Sequence, residues 1–306
     1  MSIQALPYIT LLAFLFGSTL IASRFSVGQY HPTTYIGLRL VLASLGHLAV
    51  YALWRRAWPR DKRLWWHATV LGVLGTAVPM TGIVSSLQYL SSGLASVLIT
   101  TNPAITVVMA HFFLADEKLN RRKTAGVLLA LGGAFLLAVR GESGLPDVSQ
   151  ANPLGYVLVL TAMLFGSGAT IYARKYMQHM DSFDVASVRM FAAALVVMPL
   201  SVLFFGFDMT AVTPTGYFAL GYASLVGTFL GMLLAFYNIK RFGATASAMT
   251  AYIIPIVAGL GGVLFLGERV TAGMLLGVGL IVAGIWLINR RETAVVPVPE
   301  NPTAGD

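Results

Sequence analysis

Long apolar runs separated by short polar connections dominate the chain. The runs lie at about 5–23, 33–54, 67–89, 94–114, 122–139, 153–176, 184–205, 215–239, 245–266 and 272–289. Their lengths are close to the roughly 20 residues that a helix needs to cross a membrane. Backbone groups in lipid must be hydrogen-bonded within their own segment, and the runs lack the alternating polarity of membrane strands. We therefore predict an all-α integral membrane protein with ten transmembrane helices.

The composition agrees with a membrane protein and argues against several other classes of protein and site. Hydrophobic residues make up 57% of the 306 residues and charged residues only 10%, against about 25% charged in a typical soluble domain. The net charge of +8 fits orientation in a bilayer better than nucleic-acid binding, because the basic residues do not form one solvated face. No cysteine is present, which excludes disulfides and thiolate metal sites. We expect no cofactor, no metal and no nucleic-acid partner.

The basic residues predict how the helices are oriented. Fifteen of the 20 fall on one side of the predicted membrane, near residues 55–63, 118–123, 174–175, 240–241 and 290–291. The opposite side holds only Arg24, Arg140 and Arg269. By the positive-inside rule we expect a multi-pass protein of the plasma (inner) membrane with both termini cytoplasmic. No Lys or Arg precedes Arg24, so we expect the first run to be a helix and not a signal peptide.

Similar residues recur at an offset of 149 to 152. Leu-Phe-Gly-Ser occurs at residues 15–18 and again at 164–167. Further matched pairs are Arg24 with Arg174, Arg39 with Arg189, Gly93 with Gly243, Pro103 with Pro255, Glu117 with Glu268, Gly126 with Gly277, and Gly133 with Gly284. Each half holds five runs, and an odd number forces the second half to enter the membrane from the other side. We therefore predict two inverted five-helix repeats, 1–143 and 144–291, and a disordered tail at 292–306.

Inverted repeats favour a transporter. In such proteins the binding site lies near the membrane midplane between the halves, and exchanging their conformations gives alternating access. One alternative is an intramembrane enzyme, which needs a nucleophile and a base close together. The chain has no cysteine and places its aspartates at helix edges or in connections, so this class is disfavoured. A non-transporting scaffold or sensor is a third class, which residue chemistry leaves open.

The chain resembles the drug/metabolite transporter superfamily, in the ten-helix branch with two EamA-type repeats. The residues that carry the resemblance are Pro7, Phe16-Gly17 and Arg24, then Phe165-Gly166 and Arg174, and the pairs Pro103 with Pro255 and Glu117 with Glu268. Tryptophan is common in the family where Phe16 and Phe165 stand, and lysine where Arg24 stands. The resemblance covers nearly the whole chain. It implies export of amino acids or related metabolites through a central cavity lined by helices 1, 3, 4, 6, 8 and 9, with helices 5 and 10 at the periphery.

Two proline positions and a polar run are the first candidates for solute contact. Pro103 and Pro255 lie in matching midspan positions, where each removes a backbone hydrogen bond, and we expect them to act as helix hinges. The adjacent Thr101 and Asn102 are polar for a span centre, so they bind either a solute or a neighbouring helix. Unpaired Pro79 and Pro199 are expected to be simple kinks.

Further candidates come from the runs that the resemblance places around the cavity. Ser18 and Ser167 stand at matching Gly-Ser steps and are expected to face the cavity or to allow close helix packing. Apolar lining is expected from Phe14, Met80, Met163, Phe229, Met232, Tyr237 and Tyr252. Packing between helices or against lipid is the alternative role for each of these. Together they predict a pocket for a small organic solute in a bilayer-embedded protein, with a monomer expected and oligomerisation left open.

Two arginines fall inside predicted spans. Arg39 lies in the outer part of helix 2 and Arg189 in the inner part of helix 7. Each is expected to draw a carboxylate into a vestibule, or to reach the interface or a nearby carbonyl. All twelve carboxylates lie outside span centres, so we expect a neutral or zwitterionic solute. The only candidate midspan proton carriers are then His47 and His111.

Overall fold

A computed structural model describes residues 3–115, 117–242 and 249–289. Ten helical segments in this part of the chain match the ten predicted runs. They are α1 (Leu6–Phe25), α2 (Pro32–Leu53), α3 (Lys62–Ser86), α4 (Ser92–Phe113), α5 (Arg121–Val139), α6 (Leu154–Tyr176), α7 (Ser182–Phe205), α8 (214–242), α9 (Thr250–Leu266) and α10 (Ala272–Asn289). Nine of them are at least 18 residues long and apolar enough to cross a membrane, and α9 is a shorter apolar helix of 17 residues. The all-α membrane fold is thus confirmed, while Gly243 and the predicted tail lie outside the described residues.

Local sequence signals explain where several helices begin. The side chain of Asp181 accepts hydrogen bonds from the amides of Phe183 and Asp184 at the start of α7. Asn120 caps α5 in the same way, through the Lys123 amide at 2.8 Å. Such caps satisfy amides that have no partner within the helix. Helices α2 and α8 begin with a proline, which needs no such partner at the first helical position, and Thr213 also caps α8 through the Gly216 amide.

Three of the helices are interrupted, which the apolar runs did not predict. Helix α4 consists of Ser92–Ile99 and Asn102–Phe113, separated by a turn at Thr100 and Thr101. Helix α3 contains a π-helical segment, Val73–Ala77, and α8 contains a longer one, Tyr222–Leu230. The span predicted at 94–114 is present, and its division lies just before Pro103, one of the two prolines expected to act as hinges. A hydropathy pattern records which residues meet lipid and carries no information about the register of backbone hydrogen bonds.

The two halves make equivalent contacts with each other. Helix α1 packs on α9 as α6 packs on α4, and α2 packs on α8 as α7 packs on α3. The last helices of the halves, α5 and α10, pack along each other. A Cβ atom at Gly126 would lie 2.6 Å from the Gly284 carbonyl oxygen, and one at Gly133 would lie 2.9 Å from that of Gly277. Glycine at these positions lets the two backbones touch.

The core lies in three apolar clusters shared between the halves: a small one around Leu71 of α3 and Val188 of α7, and two larger ones. One is formed by residues of α4, α5, α6 and α10, and includes Leu94, Leu98, Val159 and Ile281. The other is formed by α2, α3, α7 and α8, around the fully buried Ile36 and Leu40. We name the side that carries the α2–α3, α4–α5 and α6–α7 connections the basic face. It holds most of the basic residues of the described connections.

Candidate functional site

The break in α4 presents polar backbone near the middle of a span. Thr100 and Thr101 are buried, and their hydroxyls donate back to the carbonyls of Val97 and Leu98, at 2.6 and 2.7 Å. Pro103 has no amide hydrogen, so the carbonyl of Ile99 receives no bond from it. The predicted hinge Pro103 therefore stands at the first turn after a real interruption. Its counterpart Pro255 lies inside the continuous helix α9.

Asn102 joins the break in α4 to α6. The Ser167 hydroxyl donates to Asn102 Oδ1 at 2.8 Å, and the Thr106 hydroxyl donates to Ser167 Oγ at 2.9 Å. Ser167 is fully buried, while Asn102 is half-buried. The carboxamide NH₂ of Asn102 donates to no residue in the described part of the chain. The amide oxygen thus serves helix packing, and the amide hydrogens stay available to another partner.

Ser18 makes a different contact from Ser167. Its hydroxyl lies 2.8 Å from the Tyr222 hydroxyl in the π-helical segment of α8. It borders a groove of about 790 Å³ between α1, α8 and α9, where Phe14 is 51% exposed. Other side chains of this groove, such as Phe218 and Phe265, are more than 70% exposed. This groove opens at the lateral surface of the helix bundle, between α1, α8 and α9.

These contacts correct the alignment of the two halves at Ser18. A Cβ atom at Gly17 would lie 3.1 Å from the Ile254 carbonyl of α9, just as Ser167 contacts Asn102 of α4. The equivalent of Ser167 is therefore Gly17, at an offset of 150. The matching Leu-Phe-Gly-Ser letters place Ser18 there instead, one residue out of register. The helix against which each residue packs is therefore a better guide to aligning the two halves than four identical residues in the sequence.

The apolar candidates fall into separate groups. Met163 is 4% exposed in the cluster of α4, α5, α6 and α10. Met80 and Met232 both pack on the cluster of α2, α3, α7 and α8. They occupy equivalent positions, because each is four residues after the threonine of a Gly-Thr pair in a π-helical segment. Phe229 lies three residues before Met232, with its ring 5.2 Å from that of His47.

The two tyrosines contact the ends of helices near the basic face. The Tyr237 ring lies 5.5 Å from that of Tyr8, and its hydroxyl accepts a hydrogen bond from Arg241 Nη1 at 2.9 Å. Tyr252 accepts from Asn289 Nδ2 at 2.7 Å. None of these contacts involves Phe14 or Met163.

The two midspan arginines form a crossed pair of contacts between the halves. Arg39 of α2 donates through Nε to Thr228 Oγ1 at 2.7 Å. Arg189 of α7 donates through Nε to Thr76 Oγ1, and through Nη2 to the Gly75 carbonyl at 3.0 Å. Thr76 and Thr228 lie in the π-helical segments of α3 and α8. Each half therefore binds the π-helical segment of the other half through its buried arginine.

The sequence contained a signal for this arrangement. Gly75-Thr76 and Gly227-Thr228 repeat at an offset of 152, within the range of the other matched pairs. The arginines were recognised as a pair, and their partners were missed. A threonine hydroxyl can replace a water molecule as acceptor for a buried guanidinium, but nothing in a single sequence says which of the many threonines does so.

Matched acids and arginines also meet across the halves. Glu268, between α9 and α10, accepts hydrogen bonds from the amides of Ser92 and Gly93 at the start of α4. The pKa of the Glu268 carboxyl is raised, because burial outweighs the opposite effect of these hydrogen bonds and of the Arg24 charge. On the basic face, Glu117 forms an ion pair with Arg174. The pairs Glu117 with Glu268 and Arg24 with Arg174 thus lie on opposite faces of the protein.

The histidines make local contacts. His47 is fully buried, and its Nδ1 lies 3.0 Å from the Ser187 hydroxyl. His47 Nε2 has no hydrogen-bond partner among the described residues. His111 Nδ1 accepts a hydrogen bond from the Leu119 amide at 3.3 Å, near the basic face.

Comparison with known proteins identifies the family. The chain is 26% identical over 276 residues to the uncharacterized inner membrane transporter YedA of Escherichia coli, covering 90% of this chain and 87% of that protein. It is 28% identical over 205 residues to a probable terminal-alkyne amino-acid exporter of Streptantibioticus cattleyicolor, covering 66% of each. A crystal structure superposes with a TM-score of 0.62 over 91% of this chain and 94% of that one, at 18% identity. The model of the EamA-like transporter family matches residues 4–139 and again 153–290. The chain is therefore a multi-pass membrane transporter that belongs to the EamA-like transporter family.

Proposed function

We propose that this transporter exports small organic solutes, such as amino acids or related metabolites, by alternating access along a path between its halves. The relative from Streptantibioticus cattleyicolor, named as an amino-acid exporter, supports this solute class. The Escherichia coli relative supports an inner-membrane location. The charge bias of the connections supports an orientation with both termini in the cytoplasm.

The crossed arginine contacts are the observation that carries the proposal. Arg39 binds α8 on the side of the protein away from the basic face, and Arg189 binds α3 on the side near the basic face. A π-helical turn contains one surplus residue, and such turns occur frequently at functional sites. The two contacts lie towards opposite ends of the path, and in the proposed cycle each conformation keeps one of them. Breaking the Arg39–Thr228 contact would open one end, and breaking the Arg189–Thr76 contact would open the other.

The solute site proposed here is centred on the break in α4. Asn102 offers two amide hydrogens to a solute, and the Ile99 carbonyl offers an acceptor at the same level. Ser167, Thr101 and Pro103 shape this region through their contacts with Asn102 and the break. The other proposed members are Phe14, Ser18, Met80, Met163, Phe229, Met232, Tyr237, Tyr252 and Pro255. These side chains belong to helices that are expected to rearrange around the path.

Counterflow in proteoliposomes tests the proposal. Purified protein is reconstituted with an unlabelled neutral amino acid inside, and uptake of the labelled compound is measured with no imposed pH gradient. We expect uptake of at least one solute from a panel of amino acids and related metabolites. N102A should reduce uptake about tenfold, because it removes the free amide donors. The control L195A, at a side chain 74% exposed on α7, should leave uptake unchanged.

Two outcomes contradict the proposal. Absence of counterflow across the panel, with protein correctly inserted, would contradict export of this solute class. Strict dependence on an imposed proton gradient that survives replacement of His47 and His111 and is lost in E117Q would contradict the expectation that these two histidines are the only candidate proton carriers.

A further inference from the structure

The two crossed arginines have different surroundings. Arg39 is 9% exposed and enclosed by other side chains. Arg189 lines a cavity of about 380 Å³ between α3, α6 and α7. Met177, Met180 and Ser182 border the cavity where α6 ends and α7 begins, which is at the basic face. The structure therefore gives one arginine of the matched pair a space that a ligand can enter.

Two substitutions between the halves account for this space. At an offset of 150, Tyr35 and Ser23 of the first half correspond to Val185 and Ala173 of the second. Tyr35 and Ser23 are each 1% exposed, and Ser23 Oγ accepts a hydrogen bond from Arg39 Nη1 at 3.1 Å. Val185 and Ala173 both line the cavity beside Arg189. Small apolar side chains thus replace the tyrosine ring and the hydroxyl that fill the equivalent volume around Arg39.

The charge of Arg189 is not neutralised by the surrounding side chains. Its hydrogen-bond acceptors, Thr76 Oγ1 and the Gly75 carbonyl, are neutral. No carboxylate lies within 4 Å of it in the ranges that the structure describes. The acids at the start of α7, Asp181 and Asp184, both form ion pairs with Arg56. A cation away from bulk water without an anion is unfavourable, so an anionic ligand beside Arg189 would be stabilised.

We infer that this cavity binds the carboxylate of a small organic solute, with Arg189 as its counter-ion. A guanidinium binds a carboxylate through parallel hydrogen bonds, and Arg189 Nη1 has no partner in the described part of the chain. Thr170 and Ser182 supply hydroxyls in the lining, and the methionines supply an adaptable apolar wall. The volume is in the range of small-molecule sites. The inference rests on the proposed function for the source of the ligand, and narrows the solute to an organic acid or a zwitterion.

Single-cysteine labelling tests the site directly, because the natural chain contains no cysteine. A173C is reacted in phosphatidylcholine nanodiscs with methanethiosulfonate reagents, the anionic sulfonatoethyl form and the cationic trimethylammonioethyl form. We expect the anionic reagent to react faster by about fivefold or more relative to the cationic one. R189Q should abolish this preference and R189K should retain it. The equivalent S23C in the first half should stay unreactive, because Ser23 is buried.

Pairs of ligands that differ by a carboxylate or an amide group then test whether the cavity binds a carboxylate. Benzoate and L-leucine should slow labelling of A173C, whereas benzamide and L-leucinamide at equal concentration should not. V185Y should block labelling by restoring the ring that fills this volume in the first half. If A173C is unreactive, or reacts without charge preference while R189K folds normally, the inference is wrong. It is also wrong if phosphatidylglycerol nanodiscs alone give the protection, since the occupant would then be a lipid phosphate.

The two proposals fail in different ways. Carboxylate protection without counterflow would contradict the proposed export and leave the Arg189 site standing. Counterflow without carboxylate protection would contradict the Arg189 site and leave the export standing.

Discussion

The carboxylate of Glu268 caps the first turn of α4, with Oε1 2.7 Å from the Ser92 amide nitrogen and Oε2 2.9 Å from the Ser92 hydroxyl. The two residues belong to different halves and lie 176 positions apart. A negative charge at the start of a helix interacts favourably with the helix dipole. This contact therefore fixes the connection after α9 to the start of α4, on the face opposite the basic face.

We expect E268A to destabilise the protein by about 1–3 kcal/mol, because it leaves buried amides of α4 without acceptors. E268Q should cost less, since it keeps one acceptor oxygen. The melting temperature of purified protein in one detergent measures this. The matched control is E142A, whose carboxylate contacts Thr271 at the edge of the same face. Equal melting temperatures for E268A and the natural chain would contradict the capping role.

The crossed arginine contacts predict paired effects of two threonine substitutions. T76V and T228V each remove an acceptor from a buried guanidinium and keep the side-chain volume. We expect both to reduce counterflow by about tenfold, and by similar factors, because the contacts are equivalent. T124V, at an exposed hydroxyl of α5, should have no effect. A large effect in only one of the two would contradict an exchange of equivalent gates.

The prolines should not be equivalent. P103A restores an amide donor at the first turn after a real break, so it should allow α4 to become continuous and should reduce transport. P255A changes a position inside a helix that is already continuous, and we expect a smaller loss. Counterflow, normalised to the amount of inserted protein, measures both. Equal losses would show that α9 also opens at Pro255 during transport.

The orientation of the chain is testable with topology reporters. A reporter after Arg291 or near Lys62 should be cytoplasmic, and one near Gly144 should be external, because basic residues are concentrated on one side. Reporters at Lys62 and Gly144 on the same side of the membrane would contradict an inverted arrangement of the halves.

The helices could be predicted from the sequence, and most of the contacts could not. Helix α10 begins and ends at the predicted residues, and α5 and α6 begin within one residue of the prediction. The agreement arises because a membrane span requires an apolar run of a fixed length. The starts of α3 and α8 and the end of α8 differ from the prediction by one to five residues, since α3 begins at Lys62 and α8 continues through Arg241, beyond their apolar parts. The boundary between the halves at residues 143 and 144 stays a prediction.

Side-chain partners depend on which helices meet, and this explains the missed features. Pairing Arg24 with Arg174 and Glu117 with Glu268 was possible from spacing alone. That Glu268 contacts Ser92 of the other half follows only from the packing of α9 on α4. Likewise, Ser18 and Ser167 share a motif, but their neighbours α8 and α4 are different helices. An offset of one residue rotates a side chain by about 100° around a helix, which changes its partner completely.

The glycine contacts between α5 and α10 restrict how the halves can move. Where Gly126 lies against Gly284 and Gly133 against Gly277, two backbones touch without intervening side chains. Sliding one helix along the other would drive neighbouring Cβ atoms into the opposite backbone, whereas a small rotation about the line of contact keeps the glycines in register. We therefore expect the halves to rotate about this line during transport, with the largest displacements in the helices farthest from it.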